Sequence, residues 1–125
     1  MKKFCLNNFV LFGYFLNEKL VGFHSLLING SVLETYFLGY DKDVQKENML
    51  YLNMLYNMTE FGIENNFKKI IFGRTALEIK SSIGAIPIEM SGFIYHNNKL
   101  INKYIDKIFS QLEPELEWQI RHPFK

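Results

Sequence analysis

The sequence predicts a mixed α/β (α+β) fold, and three observations support this prediction. The first 40 residues contain apolar runs separated by short turn-forming segments, of which Asn29–Gly30 is the strongest signal. Apolar residues then recur at three- and four-residue steps between residues 46 and 67. After residue 67, short apolar runs alternate with helical patterns. Antiparallel strands followed by alternating strands and helices are typical of a sheet with helices packed on it.

Three strands are expected in the first 40 residues. The runs FVLFGYFL (9–16) and LVGFHSLLI (20–28) flank the polar segment NEK, and SVLETYFLGY (31–40) follows Asn29–Gly30. Asn-Gly accepts the positive φ angles of a type I′ turn, so these strands are expected to form an antiparallel meander. The runs are apolar on both faces, which predicts a sheet that is covered on both sides.

Residues 46–67 are predicted to form one amphipathic helix. Its inward face consists of Tyr51, Leu52, Leu55, Met58, Thr59 and Gly62. A glycine inside a helix costs about 1 kcal/mol relative to alanine. Either a close helix–sheet contact or fraying near the helix end would explain why Gly62 is there.

The stretch FGRTALEIKSSIGAIP (72–87) joins a strand to a short helix. KKIIFG (68–73) is predicted to be the strand. Thr75 and Glu78 have the spacing of a capping box, in which the hydroxyl and the carboxylate each bond an amide at the helix start. A helix of barely two turns needs tertiary support, so its start is expected to be placed accurately.

The remaining pattern of this short helix predicts which side it buries and where it ends. Ala76, Ile79 and Ile83 are expected to face inward. Gly84 is expected to close the helix in a left-handed conformation, and Pro87 to prevent it from restarting.

The C-terminal third contains one further strand pattern and one further helix pattern. MSGFIYHN (90–97) is predicted to be a strand, and residues 98–112 an amphipathic helix that Pro114 ends. Trp118 and Ile120 alternate with polar residues in the tail, so a final edge strand and an extended docking segment both stay open.

Length and charge exclude several classes of protein. A chain of 125 residues is expected to form one domain, residues 1–125. The net charge of +1 lacks the basic field that DNA binding needs. The apolar N-terminal run is interrupted at Asn7, Asn8 and Gly13 and has no cleavage site, which disfavours a signal peptide. No run reaches the ~18 apolar residues of a membrane span.

Cysteine and histidine usage excludes a metal centre. Cys5 is the single cysteine, so neither a disulfide framework nor a cysteine-rich zinc site is expected, and the reducing cytoplasm is the expected location. His24, His96 and His122 lie far apart in sequence and have no metal-binding spacing.

The element order and three stretches resemble the later part of a GNAT-type acyltransferase domain. The likeness is to the branch with Fem-type peptidoglycan aminoacyltransferases and BioF2-like acetyltransferases, and the tail WQIRHPFK is similar to the end of some bacterial members. The stretches are YFLGYDK (36–42), LYLNMLYNMTEFGIENNF (50–67) and FGRTALEIKSSIGAIP (72–87). In this branch a strand ending in Phe-Gly or Leu-Gly precedes a short helix with a lysine and then a small-residue pair. The residues that match this pattern are Phe72, Gly73, Arg74, Thr75, Glu78, Lys80, Gly84 and Ala85.

Two features depart from the family pattern. A GNAT fold opens with a strand and two helices, and the sequence predicts no counterpart before residue 8, so the chain is expected to be the C-terminal part of a larger or truncated enzyme. The family's acetyl-coenzyme A loop, Arg/Gln-x-x-Gly-x-Gly/Ala, corresponds here to VQKENML (44–50). Gln45 is kept in that stretch, but the glycines that would let backbone amides approach a pyrophosphate are absent.

The resemblance implies an N-acyltransferase that moves an acetyl or aminoacyl group to an amine. Lys80 and Tyr40 are the catalytic candidates, because an ammonium can stabilise an oxyanion and a phenol can protonate a leaving thiolate. Packing in the core would equally explain Tyr40 and Tyr36, and a solvated position would explain Lys80.

The resemblance also implies the residues that hold the substrates. Arg74, Thr75 and Asp41 are the candidates for binding the substrate, and Gln45 and Lys46 for binding the acyl donor. Acetyl-coenzyme A or another acyl donor is expected as a cosubstrate, with no tightly bound cofactor.

Arg74 and the chain as a whole each have an alternative interpretation that involves no catalysis. An ion pair with Glu78 or another nearby acid is the alternative for Arg74. For the whole chain, the alternative is a non-catalytic partial GNAT-like domain that forms a homodimer or pairs with a partner.

Overall fold

The computed structural model describes residues 1–112, 119, 121 and 123. The elements in chain order are β1 Lys2–Leu6, β2 Phe9–Leu16, β3 Lys19–Asn29, β4 Val32–Tyr40, α1 Lys42–Asn48, α2 Leu50–Glu64, β5 Lys69–Ile71, α3 Leu77–Ser81 and α4 Lys99–Leu112.

The five strands form one sheet in the order β1-β2-β3-β4-β5. The first four strands pair antiparallel with their neighbours, and β5 pairs parallel with β4. The predicted meander and the mixed α+β class are therefore confirmed. The hairpin loop between β3 and β4 is Gly30–Ser31, one residue later than predicted, and Gly30 adopts a φ of 57°.

Strand β1 is an element that the sequence analysis leaves out. It pairs with β2 across the turn at Asn7–Asn8, where Asn7 has a φ of 50°. The prediction that nothing precedes residue 8 is therefore wrong for a strand, although no helix separates β1 from β2. All residues of β1 are exposed, so its sequence carries no burial pattern.

Helix α2 covers one face of the sheet and builds the core with it. The buried apolar residues on the strands are Val10, Phe12, Val21, Leu26 and Leu33, and those on the helix are Leu50, Met54, Leu55, Met58 and Phe61. The predicted single helix over 46–67 is instead two helices. Met49, with a φ of 45°, separates α1 from α2, because the chain must turn from the end of β4 back over the sheet.

The opposite face of the sheet is not covered by any described residue, and we call it the open face. Strand alternation and register place on it Phe4, Leu6, Phe9, Leu11, Phe23, Leu27 and Ile71. None of these side chains is buried. The prediction of a sheet covered on both sides is therefore wrong within the part of the chain that the structure describes.

Gly62 marks the closest approach of α2 to the sheet. A Cβ atom at this position would lie 2.8 Å from Cγ1 of Ile70 on β5. Of the two explanations for this glycine, close helix–sheet contact is confirmed.

Residues 86–112 contribute no buried residue to this core. The predicted strand at 90–97 is wrong: residues 82–98 form no helix or strand, and Phe93 is 100% exposed. The run is apolar enough for a strand, but no neighbouring strand edge reaches it. Helix α4 forms where predicted, yet none of its residues is buried. Trp118 and Ile120, which suggested a final strand, lie outside the described residues.

No helix in the described part of the chain is long and apolar enough to span a membrane.

A buried polar cluster connects β2, β3 and α2. The Tyr14 hydroxyl donates to Oδ1 of Asn57 over 2.7 Å and lies 3.0 Å from Nδ1 of His24. Since the phenol proton is used on Asn57, His24 Nδ1 must donate to the Tyr14 oxygen. His24 is fully buried, and its Nε2 has no partner among the described residues. Burial lowers the pKa of His24 from 6.5 to about 4.

Replacing Gly62 by alanine should test the helix–sheet contact. In an open helix, Gly→Ala would stabilise by about 1 kcal/mol. Here the methyl group would overlap Ile70, so we expect Gly62→Ala to lower the free energy of unfolding by about 1–3 kcal/mol in urea titrations. In an Ile70→Ala background the same change should become neutral or stabilising. A stabilising effect of Gly62→Ala alone would contradict the contact.

Buried His24 predicts a loss of stability in mild acid. Its folded pKa of about 4 lies below its ordinary 6.5, so the folded state binds fewer protons than the unfolded one. The stability that neutral His24 contributes to the folded state is complete above pH 6.5 and is lost as the pH falls from 6.5 towards 4. We expect about 2 kcal/mol of extra destabilisation at pH 5 relative to pH 7.5, removed in His24→Phe and kept in His96→Gln. Equal pH dependence in the wild type and His24→Phe would be evidence against it.

Candidate active site

The cleft where β4 and β5 part is the candidate site. The two strands pair only from Val32–Glu34 to Lys69–Ile71, and β4 then continues alone to Tyr40. The opening between them is a hollow of about 250 Å³. Its walls are Thr35, Tyr36, Phe37 and Leu38 of β4, Tyr51, Leu55 and Met58 of α2, and Gly73, Thr75 and Lys80.

A bulge in β4 helps to shape this cleft. The register of β4 against β3 shifts opposite Ser25. Ser25 Oγ is 3.0 Å from both the amide nitrogen and the carbonyl oxygen of Phe37, and it fills the interrupted ladder. On the other side, no described residue pairs with β4 as a strand after Glu34. The backbone facing the cleft is therefore an open strand edge that an extended ligand could pair with.

Lys80 holds the far wall of the cleft together. Its Nζ donates to the carbonyl oxygens of Gly73 and Thr75, each over 2.5 Å. The residue is 7% exposed, and burial lowers its pKa. An ammonium group has three N–H donors, so one donor is left over from these two bonds. The alternative interpretation of Lys80 as a solvated surface lysine is therefore wrong, and Lys80 is part of the cleft wall.

The predicted capping box at the start of α3 is wrong. Ala76, with a φ of 54°, is the N-cap residue, and it makes no side-chain capping bond. Glu78 Oε1 instead accepts from Nη2 of Arg121 over 2.6 Å at the surface. The Lys80 ammonium orders the loop before α3 by donating to the carbonyl groups of that loop. A capping box would instead have bonded the amide groups at the helix start. Gly84 adopts the predicted left-handed conformation, with a φ of 87°.

The inward side of α3 also differs from the prediction. Lys80 and Ser81 are its buried residues, Ile79 and Ile83 pack partly against the core, and Ala76 is exposed. Both polar residues have partners inside: Lys80 donates to the carbonyls of Gly73 and Thr75, while Ser81 Oγ donates to the Glu78 carbonyl and accepts from the Arg121 amide.

Tyr51 lines the cleft, and sequence reasoning assigned it only to the core. It lies in the first turn of α2, half-buried, with its ring 5.9 Å from that of Tyr40. Burial raises the pKa of Tyr51, and Tyr40 adds to this. Tyr40 itself stands behind Tyr51 and does not line the cleft. The sequence places Tyr51 on the inward side of α2. It does not show that β5 is only three residues long and leaves the cleft beside Tyr51 open.

Asp41 has a structural contact that accounts for its carboxylate. It is the N-cap of α1, accepting from the Asp43 amide over 3.0 Å and from Lys19 Nζ over 3.2 Å. These bonds, chiefly that from the Asp43 amide, lower the pKa of Asp41.

The candidates for donor binding, Gln45 and Lys46, lie outside the cleft, in α1. Gln45 Oε1 accepts from the Tyr51 amide over 2.7 Å, so the side chain caps α2. Lys46 is exposed in the last turn of α1. Helix α1 contains most of the stretch VQKENML (44–50) that corresponds to the family's glycine-rich loop.

Arg74 and Thr75 differ in their relation to the cleft. Thr75 lines it, whereas Arg74 is exposed and has no side-chain partner among the described residues. Arg74 and Lys80 therefore do not share the hollow. The alternative ion pair between Arg74 and Glu78 is also wrong, since Glu78 pairs with Arg121.

A second hollow, of about 490 Å³, adjoins the same two helices. It is lined by Met49, Leu52, Ala76, Leu77, Glu78, Ile79, Ser82 and Arg121. Helices α2 and α3 thus contribute walls to both hollows. The ion pair of Glu78 with Arg121 is the charged part of this one.

Comparisons with known proteins identify the fold. No protein-family model matches the sequence, and no curated protein matches it. The aminoglycoside acetyltransferase AAC(6')-Iy, solved with a bisubstrate analogue, aligns with a TM-score of 0.60 at 8% identity, over 74% of this chain and 72% of that chain. A Trypanosoma brucei acetyltransferase gives 0.57 at 16% identity, over 71% and 70%. An aminoglycoside acetyltransferase from a soil metagenome gives 0.53 at 14% identity, over 74% and 68%.

These similarities establish the fold. The chain has the mixed α+β arrangement of GNAT-like acetyltransferases, with an antiparallel meander followed by a parallel strand. It spans 66–78% of the length of the solved chains that it matches. The closer resemblance to the Fem-type and BioF2-like branch stays a prediction.

Removing the Lys80 ammonium should loosen the cleft wall. In Lys80→Met the carbonyls of Gly73 and Thr75 lose their shared donor, and we expect the free energy of unfolding to fall by about 1–3 kcal/mol. Lys68→Met, which removes an exposed lysine, should change it by less than about 0.5 kcal/mol. Equal effects of the two variants in urea titrations would show that the two bonds contribute no stability.

Proposed function

We propose that this chain is an N-acyltransferase domain that transfers an acetyl group from a coenzyme A thioester to an amine. The single observation that carries the proposal is the parting of β4 from β5 after Glu34, which leaves an open strand edge beside a hollow. The fold supports it, since a GNAT-fold neighbour, the aminoglycoside N-acetyltransferase AAC(6')-Iy, was solved in complex with coenzyme A.

The open edge of β4 suits the donor's chemistry. The arm of coenzyme A is a narrow chain with amide groups, which can pair with backbone N–H and C=O groups as an added strand would. Thr35, Tyr36 and Leu38 of β4 are proposed to offer these groups, since Phe37 uses its amide and carbonyl on Ser25. Leu55 and Met58 provide an apolar wall beside them. A thioester laid along this edge would bring its acyl carbon between Tyr51 and Lys80.

The transfer needs no covalent enzyme intermediate. The amine nitrogen attacks the thioester carbon, the new C–N bond forms, and the C–S bond breaks. The remaining N–H donor of Lys80 stabilises the developing oxyanion. Tyr51, which its raised pKa keeps protonated, gives its proton to the leaving thiolate and regains one from solvent. The described residues that line the cleft include no carboxylate or imidazole, so the amine releases its proton to water.

The other predicted site residues take positioning and binding roles in this proposal. Tyr40 supports the Tyr51 ring, and Asp41 holds the start of α1. Thr75 offers a hydroxyl to the acceptor amine from the cleft wall.

The donor's phosphates would lie outside the cleft, where solvent and cations are available. Because Gln45 already occupies the Tyr51 amide, fewer helix N–H groups are left for a phosphate than a glycine-rich loop would supply. Lys46 and Arg74, both exposed, are the proposed cationic partners, and Gln45 is proposed to keep the start of α2 in place.

Two narrower proposals concern the setting of this activity. The acceptor is a small amine, of which aminoglycosides are one class to test, and an aminoacyl ester is the alternative donor. The exposed thiol of Cys5 fits a reducing cytoplasm.

The experiment combines donor binding with turnover. Acetyl-coenzyme A should raise the unfolding temperature, and thiol release should depend on an added amine from a panel that includes aminoglycosides. We expect Tyr51→Phe to lower kcat at least 10-fold with little change in the donor KM. Tyr56→Phe, on the exposed side of α2, should behave as the wild type. Lys80→Arg should retain more activity than Lys80→Met.

The outcomes separate the alternatives. No unfolding shift and no thiol release with any amine would reject acetyl transfer. Transfer from an aminoacyl ester under those conditions would establish the alternative donor. Inactivity with both donors would favour the non-catalytic partial domain, for which the exposed apolar surface is the supporting observation.

A further inference from the structure

We propose that Glu34 binds the ammonium group of the acceptor, and that this acceptor is a monoamine with an aromatic body. The inference rests on the proposed function, because it names the acceptor of the same cleft. Three features carry it: a carboxylate that interrupts an apolar row of the open face, a pair of exposed aromatic rings beside it, and the cleft that this pair also lines.

Glu34 is a charged residue in an otherwise apolar row. Strand register aligns it with Leu27 on β3 and Ile71 on β5, and the row continues to Phe9 and Leu6. Glu34 is partly buried there. A carboxylate loses hydration in apolar surroundings, and opposite charges attract more strongly there than in bulk water. The position of Glu34 therefore favours a cationic ligand.

The Glu34 carboxylate is held by one of its oxygens. Oε1 accepts from Nδ2 of Asn29 over 3.2 Å, and Oε2 has no hydrogen bond or ion pair with a described residue. Lys69 is a neighbouring charge on the open face, but it aligns with Val32, on the side of Glu34 away from the cleft. The carboxylate can therefore bind an ammonium group that lies at the start of the cleft.

Tyr36 and Phe37 form an aromatic surface next to Glu34. Both oppose Ser25 at the bulge, and Ser25 aligns with Leu11 of the open face, so the pair lies on the same face as Glu34. Their rings meet edge to face with centroids 4.4 Å apart, and the two residues are 58% and 63% exposed. Exposed aromatic rings pack against the flat body of an aromatic ligand and attract a nearby cation.

The spacing of these groups fits a small arylalkylamine. Glu34 and Tyr36 are two residues apart on β4, so their Cα atoms lie about 7 Å apart along the strand. A short alkyl chain can join an amine at Glu34 to a ring on the aromatic pair over this distance. Tyr36 and Phe37 also line the cleft, as does Thr35, the residue after Glu34. The amine is thus bound beside the place proposed for the thioester.

The charges of this surface disfavour a polycation. Glu34 is the only acidic residue in the five described strands, whereas Lys2 and Lys69 add positive charge to the open face. The Lys80 ammonium adds a further positive charge in the cleft wall. An aminoglycoside carries several ammonium groups, and like charges repel. We therefore expect a monoamine to bind more tightly than an aminoglycoside.

Steady-state kinetics with phenethylamine, n-butylamine and an aminoglycoside, at saturating acetyl-coenzyme A, tests the inference. Phenethylamine should have the lowest KM. Glu34→Gln should raise the phenethylamine KM at least about 10-fold and leave the donor KM unchanged, because only the acceptor loses its ion pair. The matched control Glu64→Gln removes an exposed carboxylate at the end of α2 and should behave as the wild type.

A variant of the aromatic pair separates the two contacts. Tyr36→Leu/Phe37→Leu should raise the KM of phenethylamine about 10-fold and change that of n-butylamine less than about 2-fold, because only phenethylamine has a ring. Glu34→Gln should instead raise the KM of both monoamines. None of the three residues is buried, so the variants should keep the wild-type circular dichroism.

Equilibrium binding keeps this inference separate from the proposed function. If no amine releases thiol, the affinity of phenethylamine for the wild type and Glu34→Gln is measured by NMR titration. Binding that Glu34→Gln weakens at least about 10-fold would support the acceptor site even without acetyl transfer. No binding, or equal affinity for the two proteins, would overturn the inference. A lower KM for the aminoglycoside than for phenethylamine would also overturn it, while acetyl transfer itself would stand.

Discussion

The parallel pairing of β4 with β5 over only three residues is the constraint on which the rest of the structure depends. Gly62 lets α2 lie directly on Ile70, so β5 is held at the start of β4. Beyond that point Ser25 occupies the interrupted ladder on the β3 side, and nothing described pairs with β4 on the other. A sheet whose strands separate in this way exposes backbone donors and acceptors next to an apolar helix. An extended ligand could pair with such an edge.

Lys80 shows how a polar side chain can replace a helix cap. The loop before α3 contains residues in conformations that hydrogen bonds must hold, and the buried ammonium holds them through two carbonyl groups. This arrangement takes a charge out of water, which is costly, and the two short bonds offset part of that cost. The same group faces the cleft, so the stability of the wall and the electrostatics of the hollow depend on one atom.

The two faces of the sheet differ in burial. One face has a dry core with a buried His24–Tyr14–Asn57 cluster, and the other has apolar side chains in water. The chain beyond residue 82 repeats this imbalance, because α4 is amphipathic but packs on nothing described.

The sequence by itself determined the meander, part of the inward stripe of α2 (Leu55, Met58 and Gly62), the left-handed Gly84 and the helix at 99–112. The tertiary structure chose close helix–sheet contact over fraying as the reason for Gly62, and it added Leu50, Met54 and Phe61 to the buried side of α2. The alternation of apolar residues in strands, their periodicity in helices and the residues that form turns depend on a few neighbouring positions, so they can be recognised in the sequence. Only the tertiary structure decided the strand before residue 8, the break at Met49, the loss of the strand at 90–97 and the partner of Glu78. It also decided that Tyr51 and Lys80 line one cleft, while Tyr40 and Arg74 do not. Each of these depends on whether a distant strand edge, carbonyl group or arginine is within reach, and such distances are set by packing between segments far apart in the chain.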